Sequence, residues 1–141
     1  MWRTTLAVGG LLGTLLIPGC VPTVCGCSPP PPIATLAVEG PTQGLSGIAG
    51  AELPGLITVA VRLSGGTGVA GVAVTFAVDA PGATTTPSSA TTDATGRART
   101  TWRLGSTVGQ QRLTISAAPG GGYNITNPAV TVVAFAGAPQ R

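Results

Sequence analysis

Few side chains in this 141-residue sequence can do chemistry: four carboxylates (Glu39, Glu52, Asp79 and Asp93), seven arginines, three cysteines and no histidine. General acid–base catalysis needs two titratable groups held together, and these carboxylates are scattered over strand ends, loops and a turn. Ser and Thr are abundant, but no base accompanies any of them to make a nucleophile. A calcium site would need several oxygen ligands, and Asp79, Asp93 and Glu39 are far apart in the chain. Cys25 and Cys27 are separated only by Gly26. A disulfide between them would close a small, strained ring, and a soft-metal site would need ligands the chain does not offer nearby. A juxtamembrane disulfide, further acylation and free thiols all remain open for this pair. The inventory therefore predicts a protein that is not an enzyme, with no catalytic residues, no metal site and no cofactor.

The arginines are more informative. Arg97, Arg99 and Arg103 alternate with Ala98, Thr100, Trp102 and Leu104, the period-two signature of a strand with one face in the core. Arg112, on the strand that follows, is expected to join the outward stripe. One reading is a solvated sheet face whose long stems cover apolar surface and blunt an edge. The other is a ligand-facing surface for an anionic glycan, lipopolysaccharide or an envelope protein. Nucleic acid is excluded, because it calls for a dense basic patch with stacking partners, whereas charged residues make up 8% of the chain and aromatics 4%.

The N-terminus carries Arg3, an apolar run over residues 6–17, and then Ile17-Pro18-Gly19-Cys20. The run is too short for a membrane span of about 20 residues, but it has the order of an export signal. The last four residues resemble a bacterial lipobox, with Pro18 in place of the usual small or hydroxyl residue. The resemblance implies diacylglyceryl attachment to the Cys20 thiol, cleavage before it and acylation of the new amine, for instance by palmitate. Two or three chains anchor stably where one does not. Val21 follows in place of the aspartate that resembles an inner-membrane retention signal, which points to the outer membrane of a Gram-negative envelope. Ser28 and Pro29 to Pro32 then form a stiff spacer. The organisation expected is a signal peptide over 1–19, a lipidated tether over 20–32 and a folded domain over 33–138.

Within that domain short strand patterns alternate with Gly and Pro punctuation. Strands are expected over 33–38, 56–63, 72–78, 84–86, 97–104, 111–117 and 129–136. They predict an all-β, immunoglobulin-like Greek-key sandwich of about seven strands. Leu36, Val38, Ile57, Val59, Val61, Leu63, Val72, Val74, Phe76, Val78, Trp102, Leu104, Leu113, Ile115, Val130 and Val132 are assigned to its core, with Trp102 the largest. Asp93-Ala94-Thr95-Gly96 is expected to form a tight turn. In it the Asp carboxylate would accept backbone amides, and Gly96 would take positive φ at no steric cost. The last strand has a second apolar phase, Val133 and Phe135, that is either covered or open to a partner or a second copy.

The segments Val69-Ala70-Gly71-Val72-Ala73-Val74-Thr75-Phe76 and Ser88-Ser89-Ala90-Thr91-Thr92-Asp93-Ala94-Thr95-Gly96-Arg97-Ala98 resemble bacterial Ig-like domains of group 1, the invasin and intimin type. The likeness spans roughly residues 36–136. It implies a sandwich used on bacterial surfaces as a spacer or adhesive module, and the family has no shared catalytic residues to carry over. The expected function is a non-catalytic cell-envelope lipoprotein acting in surface adhesion, protein–protein interaction or structural spacing. The alternative is a periplasmic or outer-membrane accessory module that recruits a polysaccharide or an export component.

Overall fold

The structure is a computed structural model that describes residues 28–120 and 122–141. Ten strands follow one another: β1 Ile33–Val38, β2 Leu45–Ile48, β3 Ile57–Leu63, β4 Ala73–Val78, β5 Thr84–Thr86, β6 Ser89–Thr91, β7 Arg97–Arg103, β8 Gly109–Ala117, β9 Asn124–Ile125 and β10 Ala129–Gly137. They form two five-stranded sheets, ordered β5-β7-β3-β1-β9 and β2-β10-β8-β4-β6. Every odd-numbered strand lies in the first sheet and every even-numbered strand in the second. Each connection between successive strands therefore crosses the sandwich, and no two consecutive strands pair as a hairpin. The pairs are antiparallel except β1 with β9 and β2 with β10, which run parallel at the sheet margins. The fold is an all-β, immunoglobulin-like Greek-key sandwich.

Alternation along the strands explains the layering. In β4, Val74 and Phe76 are buried while Ala73, Thr75 and Ala77 are exposed; in β8, Gln111, Leu113, Ile115 and Ala117 turn inward. Leu36, Val59, Val61, Trp102, Leu104, Leu113, Ile115 and Val132 are fully enclosed. Val38, Leu63, Val78 and Val130 are partly buried against the same cluster. All sixteen side chains assigned to the core from the sequence are thus in it or packed on it. Small residues complete it: Ala34, Ala98, Ala117, Ala134 and Ala136 fill the space between larger neighbours. Such fine filling lets two sheets approach closely, and packing at this density is what a single cavity would disturb most. The Trp102 indole is enclosed, but its Nε1 has no hydrogen-bond partner among the described residues.

The seven expected strands are all present, with shifts of one or two residues at several ends, and β2, β6 and β9 are additional. The expected lipidation site Cys20, with Cys25, Cys27 and the export signal, lies outside the described residues.

Candidate functional site

The outer surface of the first sheet carries the arginine stripe. Arg97 and Arg99 stand opposite Ala60 and Thr58 of β3, and Arg103 opposite Thr84 of β5, so the three share one face with Arg62. They are not a free cationic field. Glu39, just after β1, receives Arg97 Nε at 2.6 Å and Arg97 Nη2 at 3.1 Å, and it also pairs with Arg62. Hydrogen bonds from Arg97 first, and Arg62 second, hold the Glu39 carboxyl below the usual carboxylate range, and the same partnership raises Arg97. Arg103 donates from Nε to the Gly50 carbonyl at 2.9 Å and bridges across to Glu52 in the backbone ladder. Arg99 is exposed and makes no salt bridge among the described residues.

Arg112 does not extend this stripe. It lies on β8, in the opposite sheet, because residues 104–108 carry the chain across the sandwich instead of folding it back beside β7. Buried Gln111 shapes that crossing. Its amide accepts from the Gly105 N–H at 2.8 Å and donates to the Gly105 and Thr107 carbonyls at 3.1 and 2.7 Å. The Arg112 N–H is held in turn by Asp79 Oδ1 at 2.8 Å.

The two sequence segments that resemble group 1 bacterial Ig-like domains interlock. The buried Thr92 hydroxyl donates to the Val69 carbonyl at 2.6 Å and accepts from the Val72 N–H at 2.9 Å, joining the start of the first segment to the middle of the second. Asp93 forms the expected turn: Oδ1 accepts from the Thr95 N–H, the Thr95 hydroxyl and the Arg97 N–H at 2.8, 2.6 and 3.1 Å. The Thr95 hydroxyl, followed by the backbone N–H groups of Arg97 and Thr95, lowers the Asp93 carboxyl from its ordinary value. The strands it joins, β6 and β7, lie in different sheets, so the turn places β7 through Gly96. That residue has φ +77°, and its carbonyl accepts from the Val61 N–H at 2.7 Å. A Cβ on Gly96 would come within 2.5 Å of the Val61 carbonyl oxygen and 2.6 Å of the Val69 nitrogen. Gly68 faces it, and a Cβ there would fall 2.0 Å from the Thr95 carbonyl oxygen. Two bare backbones are needed at this contact.

The second sheet presents a different surface. Its strands carry one charged residue, Arg112, against four arginines on the strands of the first. Ala73, Thr75, Ala77, Thr114, Ala129 and Thr131 are exposed and small. At one end stands Phe135, 59% exposed, with Ile48 of the marginal strand β2 46% exposed. Phe135 pairs in register with Gln110 of β8 on one side and Ser46 of β2 on the other. The apolar phase seen in the last strand is thus open at Phe135 and half-buried at Val133. A groove of about 290 Å³ runs beside the ring, lined by Gln43, Leu45, Gln110, Val133 and Phe135 among others.

No protein-family model matches the sequence, and no curated protein matches it. Solved structures do. Domains 4–9 of the surface layer protein SbsC align with a TM-score of 0.51 at 18% identity, covering 74% of this chain and 14% of that one. The E. coli chaperone DraB aligns with a TM-score of 0.51 at 14% identity, over 74% of this chain and 57% of that one. The D00–D0 domains of intimin align with a TM-score of 0.43 at 21% identity, over 72% of this chain and 45% of that one. The shared property is the sandwich. At such identities a common fold carries no ligand with it, and this chain spans less than two thirds of the length of each of these structures. Among the described residues no group of three or more Cys, Asp or Glu could hold a metal ion. Glu39, Asp79 and Asp93 are each bound to strand or turn partners.

Proposed function

We propose that this protein is a non-catalytic module of the cell envelope: one Ig-like sandwich, tethered through a lipid on Cys20, that serves in surface adhesion, protein–protein interaction or structural spacing. The observation that carries the reading is the use made of the polar groups. Glu39, Asp79, Asp93, Thr92 and Gln111 hold strands and crossings together, so the chemistry of the domain is committed to architecture while its two sheet faces remain for contact. The Ile17-Pro18-Gly19-Cys20 motif and the prolines after Ser28 support a lipid anchor and spacer, and Val21 supports the outer membrane as destination. An anionic glycan or an envelope protein would meet the first sheet at Arg99 and Arg103, beside the ion-paired Arg97.

Anchoring is tested by metabolic labelling with a palmitate analogue in the native host, with envelope fractionation and mass spectrometry of the mature N-terminus. Wild type should label and sediment with membranes, and Cys20→Ser should do neither. Labelling that survives Cys20→Ser would refute the anchor. Changing Arg97, Arg99 and Arg103 together to Ser should abolish retention on immobilised lipopolysaccharide, and unchanged retention would remove the first sheet as the anionic contact.

A further inference from the structure

We infer that Glu39 is a built-in competitor for the anionic ligand of the first sheet, and that a glycan carrying phosphate monoesters displaces it to bind Arg62, Arg97 and Arg99 together. The inference rests on reading the first sheet as an anionic contact, and adds which arginines converge and what keeps them occupied. Arg97 and Arg99 alternate on β7, about 7 Å apart. Arg62 lies on the neighbouring β3, two residues from Ala60, the partner of Arg97. Ala60 is enclosed although it has the outward phase, and its small side chain leaves the two arginine stems room to converge. Arg103 stands four residues beyond Arg99, about 13 Å along the strand, with its Nε on the Gly50 carbonyl.

The place where the guanidinium groups converge is filled by a carboxylate of the chain itself. Glu39 accepts from Arg97 Nε at 2.6 Å, from Arg97 Nη2 at 3.1 Å and from Arg62 Nη2, and has no other side-chain partner among the described residues. Asp93, in the turn before β7, is held instead by the Thr95 N–H, the Thr95 hydroxyl and the Arg97 N–H, and Glu52 lies at the far end beside Arg103. Glu39 is thus the carboxylate able to leave. The Arg62, Arg97 and Glu39 side chains are 43, 37 and 30% exposed, so a ligand reaches them from solvent and only a side chain has to turn. Exposed ion pairs of this kind add little to stability.

Charge selects the ligand. Three guanidinium groups face one Glu39 carboxylate, and a carboxylate or sulfate from outside would replace that single charge like for like. A phosphate monoester carries about −1.5 to −2 at neutral pH and has three acceptor oxygens, which suit the paired N–H donors of arginine. The rest of this face is short and neutral at Thr35, Ala37 and Thr58, with exposed Ile33 beyond Thr35. A groove of about 160 Å³ beside Glu39, lined by Pro41, Leu53, Pro54 and Leu56 among others, carries no cation, so the phosphates stay over the arginines.

The test uses the full chain isolated from its host in a non-ionic detergent, titrated calorimetrically at low ionic strength. The probes are mannan bearing phosphate monoesters, the same mannan after phosphatase treatment, polygalacturonate and a phosphoserine peptide. The phosphorylated mannan should bind saturably and the others clearly more weakly. Glu39→Gln should tighten its binding about fivefold or more, because the arginines are then always open. Glu52→Gln removes an equal charge without freeing Arg62 or Arg97, and should tighten it less. Arg99→Ser should weaken it, and in an Arg97→Ser background Glu39→Gln should lose most of its effect. A gain in affinity cannot come from loss of fold. The inference is overturned if Glu39→Gln binds no more tightly than Glu52→Gln; if the triple Arg97, Arg99 and Arg103 variant still loses lipopolysaccharide, the first sheet remains the anionic contact without a competitor. It is also overturned if neither wild type nor Glu39→Gln binds phosphorylated mannan, or if polygalacturonate binds as tightly. Tighter binding of the phosphoserine peptide would overturn it too, and would give the site to a protein.

Discussion

The outer faces of the two sheets are built from the same alternating pattern yet solve the problem of exposure in opposite ways. The first is armoured with long cations, and most of them are tied down: Arg62 and Arg97 by Glu39, Arg103 by the Gly50 carbonyl. The second is nearly uncharged and made of short side chains, with its one large exposed aromatic, Phe135, at a margin. The first face is stabilised by its own ion pairs and still keeps an excess of positive charge, with Arg99 outside them. Among the described residues the nearly neutral face has no ion pairs of its own on its strands, and Phe135 stands 59% exposed on it. The same fold therefore sets a charged, internally bonded face against a nearly neutral one.

The largest test removes what both faces share. Trp102 is enclosed between the sheets, and Trp102→Ala should cost about 3–5 kcal/mol, measured by urea denaturation. Trp102→Phe should cost clearly less than that truncation. It leaves a smaller cavity and removes an indole N–H that has no partner among the described residues, and a buried unsatisfied donor carries a penalty of about 1–3 kcal/mol. Equal losses for the two variants would show that the indole nitrogen finds a partner after all.

Next comes the contact that seats the arginine strand. Gly96→Val forces a β-branched residue to φ +77° and drives its Cβ into the Val61 carbonyl. The loss should reach about 2 kcal/mol or more. Gly96→Ala should recover little of it, because the obstacle is the Cβ itself. Near-wild-type stability of either variant would mean that the turn can shift without unseating β7.

These two sites were legible for a physical reason. Strand phase placed Trp102 inside, and the turn chemistry of Asp93 and Gly96 is local, acting over four residues. What escaped the sequence is everything carried between segments far apart in the chain. Glu39 meets Arg97 across 58 positions of sequence, and no spacing rule links them. Arg112 was expected beside the stripe because β8 follows β7, but consecutive strands here always occupy opposite sheets. β2 is four residues with a glycine, β6 is Ser-Ala-Thr and β9 is two residues long. None carries an apolar alternation, and each exists because a longer neighbour offers it a ladder. The second apolar phase of β10 was visible, while the exposure of Phe135 depends on how the described residues pack at the end of the second sheet. An arrangement without hairpins also makes every pairing non-local, which predicts folding on the slow, millisecond-to-second scale of β-sandwiches, measurable by stopped-flow Trp fluorescence.

A smaller effect should separate the faces by pH. Glu39 and Asp93, both beside the arginine strand, have folded-state values below the ordinary carboxylate range. A depressed folded value means that their contribution is complete above the unfolded value of about 4 and is lost as pH falls through the lower folded value. Melting temperature should therefore drop below about pH 4, and Glu39→Gln with Asp93→Asn should flatten the drop while lowering stability near neutrality. An acid profile identical in the double variant would place the sensitivity elsewhere.

The finest discrimination lies within one strand. Arg97 and Arg99 are two residues apart on the same face of β7, so their solvent, sheet position and side-chain type nearly coincide. They differ in that Arg97 is bound to Glu39, whereas Arg99 makes no salt bridge among the described residues. Arg99→Ser should change stability by no more than about 0.5 kcal/mol, and Arg97→Ser should lower the melting temperature by more than that change does. Each substitution combined with Glu39→Gln completes a double-mutant cycle. Coupling should be measurable for Arg97 and close to zero for Arg99, and added salt should shrink the first. Equal coupling for both would mean that Glu39 responds to the summed charge of the face and not to one bidentate partner.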